Sequence, residues 1–280
     1  MQPALKKKKK QKPRRMDKQP ITEHLGELRK RILISVVTVA IAFGVCFYYS
    51  ESIFNILKMP LQNILELSFS KPYFAFVPTR NPGVELFFFE PAEALWMHFK
   101  ISFIAGFILS TPVVFYEVWK FVSPGLLLKE KSYALPFVFV TTFLFLLGAL
   151  FCFIIVLPLA INFLLTYKTE NMKPMLSVGK YIDFCMKFIL GFGAVFELPV
   201  LLVFLTKMGI VTTEFLSKNR KYAVLIAFVI AAVLTPTPDA FNQMLMAVPI
   251  ILLYEVGIIA SKLMGGKDKN QSEKNPSQGG

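Results

Sequence analysis

The sequence predicts an all-α polytopic membrane protein with six membrane-crossing helices and both termini in the cytoplasm. Three observations carry this. Long apolar stretches fill residues 32–260, separated by short polar gaps. Hydrophobic residues make up 55% of the 280-residue chain and charged residues 18%, a balance that a soluble chain rarely buries without runs long enough to cross a bilayer. Most of the positive charge lies in alternate gaps and at the two ends, which sets the orientation.

Residues 1–20 are Lys-rich, carry Pro3, Pro13 and Pro20 and hold almost no apolar side chain, so they read as a disordered basic tail. Thr22 is placed to cap a helix through Glu23, His24, Leu25, Glu27 and Leu28 that enters the first span at 32–49. Residues 51–93, with Pro60, Pro72, Pro78 and Pro82, are too polar to span but contain amphipathic pieces such as Ile53, Phe54, Ile56 and Leu57. The second span covers 94–121 and is interrupted at Thr111-Pro112. The third covers 133–165, with Pro136 and Pro158 near its ends, and the fourth 181–206. The fifth, at 222–234, and the sixth, at 240–263, are separated by Thr235-Pro236-Thr237-Pro238-Asp239. Residues 264–280 form a polar tail expected to be disordered, which leaves 21–263 as one six-helix membrane domain. The spans are uneven. The third, at ~30 residues, reaches ~45 Å, whereas the ~13 residues of the fifth reach only ~20 Å against a ~30 Å hydrocarbon core. The alternative for the last two segments is a single re-entrant hairpin. The sixth, however, is long enough to cross alone.

Twelve Lys/Arg precede Ile32, three lie in the 120–131 gap, four in the 207–221 gap and four in the C-terminal tail, 23 on one side. The other side has six: Lys58, Lys71, Arg80, Lys168, Lys173 and Lys180. Much of the difference comes from the N-terminal segment, but the short gaps alone divide the same way, and the Lys-rich side is cytoplasmic. The basic residues do not interleave with aromatics as a base-binding surface requires, so the formal net charge of +13 does not indicate nucleic acid. No cleavable signal peptide is expected, because the apolar run behind the basic segment is too long and lacks a small-residue cleavage site. Cys46, Cys152 and Cys185 lie inside apolar stretches without ligand spacing and read as small buried hydrophobes.

No HExxH, GxSxG or Walker loop is present, and the two histidines, His24 and His98, are far apart. No enzyme activity, metal or cofactor is therefore expected. Glu197, in Phe196-Glu197-Leu198-Pro199 of the fourth span, is the sharpest single residue. A carboxylate at that depth costs several kcal/mol unless it is paired, protonated or wet. The bland reading is a structural contact to another helix. Lys187, ~15 Å away along the helix, is too distant to pair with it, and Lys187 and Lys100 are expected to snorkel outward. Glu255 is expected to be a boundary carboxylate. Glu27 and Glu130 are acidic residues in basic cytoplasmic segments. Glu27 has an i,i+4 partner in Arg31, a pairing worth ~0.3–0.5 kcal/mol, and Glu130 between Lys129 and Lys131 reads as a solvated loop charge. Two carboxylates on one face also suit bidentate capture of paired guanidinium groups.

The chain resembles the TatC family, the multispanning subunits of the twin-arginine protein translocase, over residues 21–263. The resemblance rests on Ile-Thr-Glu-His-Leu-Gly-Glu-Leu-Arg-Lys-Arg at 21–31, Phe-Tyr-Glu-Val-Trp-Lys-Phe-Val-Ser-Pro-Gly-Leu at 115–126 and Lys-Glu-Lys at 129–131. Phe-Glu-Leu-Pro-Val at 196–200, Leu-Thr-Pro-Thr-Pro-Asp at 234–239 and Pro-Ile-Ile-Leu-Leu-Tyr-Glu at 249–255 follow in order. It implies six helices in a curved, glove-like bundle in the cell inner membrane. It also implies a receptor for twin-arginine signal peptides of folded cargo, driven by the proton gradient. TatA- and TatB-like single-span subunits are implied as partners in a multimeric complex in the lipid bilayer. By motif position Glu27 and Glu130 become the signal-peptide carboxylates, with Phe121 and Pro124 shaping their site. Glu197 becomes the polar residue of the concave face and Pro60 part of an outer loop used in assembly. Lys187, the added Thr237 and the Lys6–Lys10 run depart from the family pattern. A small-solute transporter with Glu197 as its proton site is the competing function, but the two halves show no inverted repeat of span lengths. A scaffold with structural carboxylates is the third.

Overall fold

The computed structural model describes residues 21–67, 74–78, 85–122, 134–167, 174–235 and 239–272. The chain enters through α1 (Ile21–Tyr48), followed by α2 (Ser50–Leu57), α3 (Met59–Gln62) and the strands β1 (Asn63–Leu67), β2 (Phe74–Pro78) and β3 (Leu86–Phe87). The second crossing is α4 (Pro91–Val122), and the third is α5 (Ala134–Phe151), a π-turn (Cys152–Val156) and α6 (Leu157–Thr166). After β4 (Leu176–Ser177) the fourth crossing is α7 (Val178–Phe196) plus α8 (Leu198–Lys207). The chain then forms α9 (Thr213–Lys218), α10 (Arg220–Leu234) and α11 (Ala240–Ser272).

Five of these segments are long and apolar enough to cross a bilayer: Leu25–Tyr48, Pro91–Val122, Leu135–Thr166, Val178–Lys207 and Ala240–Met264. The sixth expected span is α10, whose 15 residues rise only ~22 Å. α11 continues through Ser272, past the boundary at 264 where a tail was expected. The loops between the first and second and between the third and fourth crossings depart from an all-helical expectation. β1 and β2 pair antiparallel, with Asn63 opposite Pro78, and β3 pairs parallel with β4. These short strands lie between membrane crossings, where proline-rich segments too short and polar to span still have backbone groups to satisfy.

Each irregularity along a crossing has a local cause, although α4 runs as one helix through Thr111-Pro112, where an interruption was expected. Pro112 inside α4 cannot donate to the carbonyl of Ile108, and the Thr111 hydroxyl donates to that oxygen instead at 2.7 Å. Pro158 at the start of α6 likewise has no N–H to offer the Ile154 carbonyl. The preceding turn widens to a π-turn, with Leu157 N donating to Cys152 O. At Glu197 the fourth crossing breaks into α7 and α8, ahead of Pro199. Glu197 N tightens onto Ala194 O at 3.1 Å, and Leu201 N resumes the ladder on Glu197 O at 2.9 Å.

α7 is the central helix. Ile182, Cys185, Phe188 and Phe192 are fully buried against Cys152 and Leu157 of the third crossing and Met246 and Ala247 of α11. Glycines allow the closest approaches. A Cβ on Gly106 of α4 would lie 2.7 Å from Phe43 N on α1, and one on Gly148 would lie 2.7 Å from Phe192 O on α7. Outward faces are apolar and exposed. Among the described side chains of α1 only Ala42 and Cys46 are buried, while Leu33, Val36, Ile41 and Val45 face outward, as a lipid-solvated helix requires. All three cysteines are free and buried. At the end of the bundle where α4 and α7 begin, the Glu93 carboxylate accepts from Phe89 N and Gly179 N, each at 2.7 Å, and from the Ser177 hydroxyl, fastening the two helix starts together.

Candidate functional site

At the end of the bundle where α1 begins and α4 ends, one arginine holds two carboxylates. Arg31 Nη2 donates to Glu27 Oε1 at 3.0 Å, one turn earlier on α1, and Arg31 Nη1 donates to Glu117 Oε2 on α4 at 3.0 Å. The side chains grade outward, with Glu117 8% exposed, Arg31 14% and Glu27 26%. One guanidinium between two carboxylates leaves one negative charge in excess. The Glu117–Arg31 pair is buried enough that removing one partner strands the other without hydration. Phe121 lies one turn beyond Glu117 on α4 and is half-buried. Two residues before Phe121, Trp119 is buried, stacked on Phe137 with ring centroids 4.1 Å apart and edge-on to Phe204. Pro124 and Glu130 lie outside the described residues.

Glu197 occupies the break between α7 and α8, on the helix face that also carries Asp183, Lys187 and Ala194. Its Oε1 is buried and has no hydrogen-bond partner among the described residues, and the same holds for the Thr142 hydroxyl of α5. The glycine seam between α5 and α7 sets this level, with Gly193, one turn before Glu197, packed on the Phe145 ring. Lys100 does not merely snorkel. Its Nζ bonds Asp183 Oδ1 at 2.6 Å across α4 and α7. Lys187 is exposed one turn beyond Asp183. Glu255 pairs with Arg220 at 2.9 Å, joining α11 to α10. Pro60 is buried in α3, next to the core residue Leu61.

Glu117, Asp183 and Glu93 were missed in the sequence. Glu117 and Asp183 carried a usable signal, because each is an ionisable residue within an apolar crossing and so demands a partner. Glu93 carried none, since two of its three donors, the Ser177 hydroxyl and Gly179 N, lie more than 80 residues away at the start of α7. No group of three or more metal-ligating side chains occurs among the described residues.

The family model described as Sec-independent protein translocase protein (TatC) matches residues 23–249. The chain belongs to the TatC family. It is 41% identical over 260 residues to the Sec-independent protein translocase protein TatC of Desulforapulum autotrophicum, covering 93% of this chain and 90% of that protein. It is 42% identical to that of Aquifex aeolicus, over 89% of this chain and 98% of that protein. A crystal structure described as the twin-arginine translocase receptor TatC superposes with a TM-score of 0.71 at 40% identity, covering 86% of this chain and 99% of that one. TatC membership makes the chain a multi-pass membrane subunit of a protein translocase, built on six helices, and not an enzyme.

Proposed function

We propose that this chain is the receptor of a twin-arginine export complex in the cell inner membrane, with both termini cytoplasmic. In this reading Glu27 and Glu130 accept the consecutive arginines of a signal peptide at the cytoplasmic surface. Phe121 and Pro124 shape that site, and Glu197 supplies a polar point on the concave membrane face. Pro60 belongs to the outer loop that contacts neighbours, and the partners are TatA- and TatB-like single-span subunits in a multimeric, proton-gradient-driven assembly. The basic segment 1–20 reinforces orientation and touches anionic lipid.

The observation that carries this reading is the excess negative charge at Glu27, Arg31 and Glu117 inside an otherwise Lys-rich face. A planar guanidinium fork matches a carboxylate as an ammonium does not, so arginine is favoured over lysine. A charge-assisted contact contributes about 1.5–3 kcal/mol when desolvated, so Glu130→Ala weakens peptide binding roughly 10- to 100-fold. Crosslinking of a twin-arginine peptide to wild type, Glu27→Ala, Glu130→Ala and the double variant tests this. Unchanged crosslinking in a folded, inserted double variant returns both residues to solvated charges.

A further inference from the structure

We propose that Glu117 is a positioning residue of the cytoplasmic site, acting through Arg31 to keep the Glu27 carboxylate available to an incoming guanidinium. The proposal rests on the receptor reading above. Glu27 and Arg31, one turn apart on α1, would by themselves form a neutral pair, and any cation arriving at Glu27 would have to compete with Arg31. The structure places a second carboxylate on Arg31 from α4. Glu117 takes Nη1 and Glu27 takes Nη2, both at 3.0 Å, while the buried Nε has no hydrogen-bond partner among the described residues, so Arg31 holds Glu27 by a single contact. Glu27 uses Oε1 alone, and among the described residues its Oε2 has no hydrogen-bond partner.

Burial assigns the roles. At 8% side-chain exposure Glu117 is too enclosed to meet a ligand, whereas Glu27 at 26% presents an edge to solvent. Glu117 therefore neutralises Arg31 from behind. The bridge also spans the two helices, so the distance of Glu27 from the end of α4, where Phe121 sits, is fixed by an ion pair and not by loop conformation.

The test is titration of the solubilised full chain with a fluorescent twin-arginine peptide. Glu117→Gln keeps the shape and an acceptor oxygen but removes the charge. Arg31 then turns wholly to Glu27, and affinity falls roughly three- to tenfold. Arg31→Gln added to Glu117→Gln removes the competing cation and returns affinity to the wild-type value or tighter. A purely structural role for Glu117 predicts no such rescue. Unchanged binding in Glu117→Gln, or a double variant as weak as the single, overturns the proposal. If the single variant does not fold, the double variant, which buries no unpaired charge, decides alone, and a tenfold loss in it overturns the proposal. Glu27→Gln separates the two layers. If it leaves binding unchanged the receptor site itself is misassigned. If it weakens binding while Glu117→Gln does not, only the positioning role fails.

Discussion

Gly106→Ala adds one methyl group where α1 and α4 nearly touch. The new Cβ would lie 2.7 Å from Phe43 N, 2.9 Å from Phe43 Cα and 3.1 Å from the carbonyl carbon of Ala42. All three are backbone atoms, so no rotamer change relieves the clash. α1 must move out by about 0.7 Å to restore ordinary contact. Overpacking of this kind costs about 1–3 kcal/mol. Replacing glycine by alanine in a helix returns up to about 1 kcal/mol, which obscures the effect of a single variant. Gly44→Ala is the control, since it changes the same residue type on α1 beside the same crossing and meets nothing within 4 Å. The difference between the two variants isolates the clash at about 1–3 kcal/mol, a few degrees in thermal midpoint. The assay is thermal unfolding of the purified protein in one detergent, with twin-arginine peptide binding measured in parallel. Gly106 lies three turns from Glu117 on α4, so displacement of α1 also strains the Arg31 bridge, and peptide affinity falls with stability. A Gly106→Ala protein as stable as Gly44→Ala refutes the close-approach argument and the helix spacing derived from it.

Cysteines placed at Ser70 and Asn171 are labelled by an impermeant reagent from outside and those at Ser123 and Ser217 are not; the reverse pattern overturns the proposed orientation. Glu197→Gln retains transport of folded cargo better than Glu197→Leu, because a neutral amide keeps a hydrogen-bonding group at this depth and leucine does not; equal activity of the leucine variant makes the residue incidental. Asp183→Asn, which strands Lys100, lowers thermal stability more than Lys100→Met with Asp183→Leu together; an additive double variant shows that the 2.6 Å pair is not coupled.

The crossings were legible because hydropathy and charge placement act over ~20 residues and need no tertiary information. Positions 94–121 and 181–206 fall within the long crossings observed, and 32–49 overruns the end of the first, Leu25–Tyr48, by one residue. The short fifth segment was recognisable by its length, and family motifs pointed to Glu27, Phe121 and Glu197 before any geometry. What the sequence withheld was pairing. Glu117 sits 86 residues from Arg31, and Asp183 sits 83 from Lys100. Only the docking of α4 on α1 and α7 brings those charges together. The short strands were also hidden, because a β pairing such as Leu86 with Leu176 joins two loops whose local sequence favours neither helix nor strand.

The depth of Glu197 and the shortness of α10 explain one another. In the proposed orientation α8 runs ten residues, ~15 Å, from Glu197 to the cytoplasmic end of the fourth crossing, about half of a ~30 Å core. A carboxylate held there by uniform hydrocarbon would meet its full desolvation cost with no bonded partner at Oε1. The hydrocarbon beside it is not uniform. A groove lined by Leu198 and Leu202 of α8, Ile226 and Ile230 of α10 and Ile250 of α11 puts α10 alongside this level of the bundle. A helix rising only ~22 Å leaves ~8 Å of mismatch, met by local thinning, tilt or both. Thinning on that side brings the cytoplasmic interface toward the break at Glu197, where Pro199 already prevents the backbone from closing its own hydrogen bonds. The same short helix that looks deficient as a span thus lowers the cost of keeping a polar side chain within the membrane.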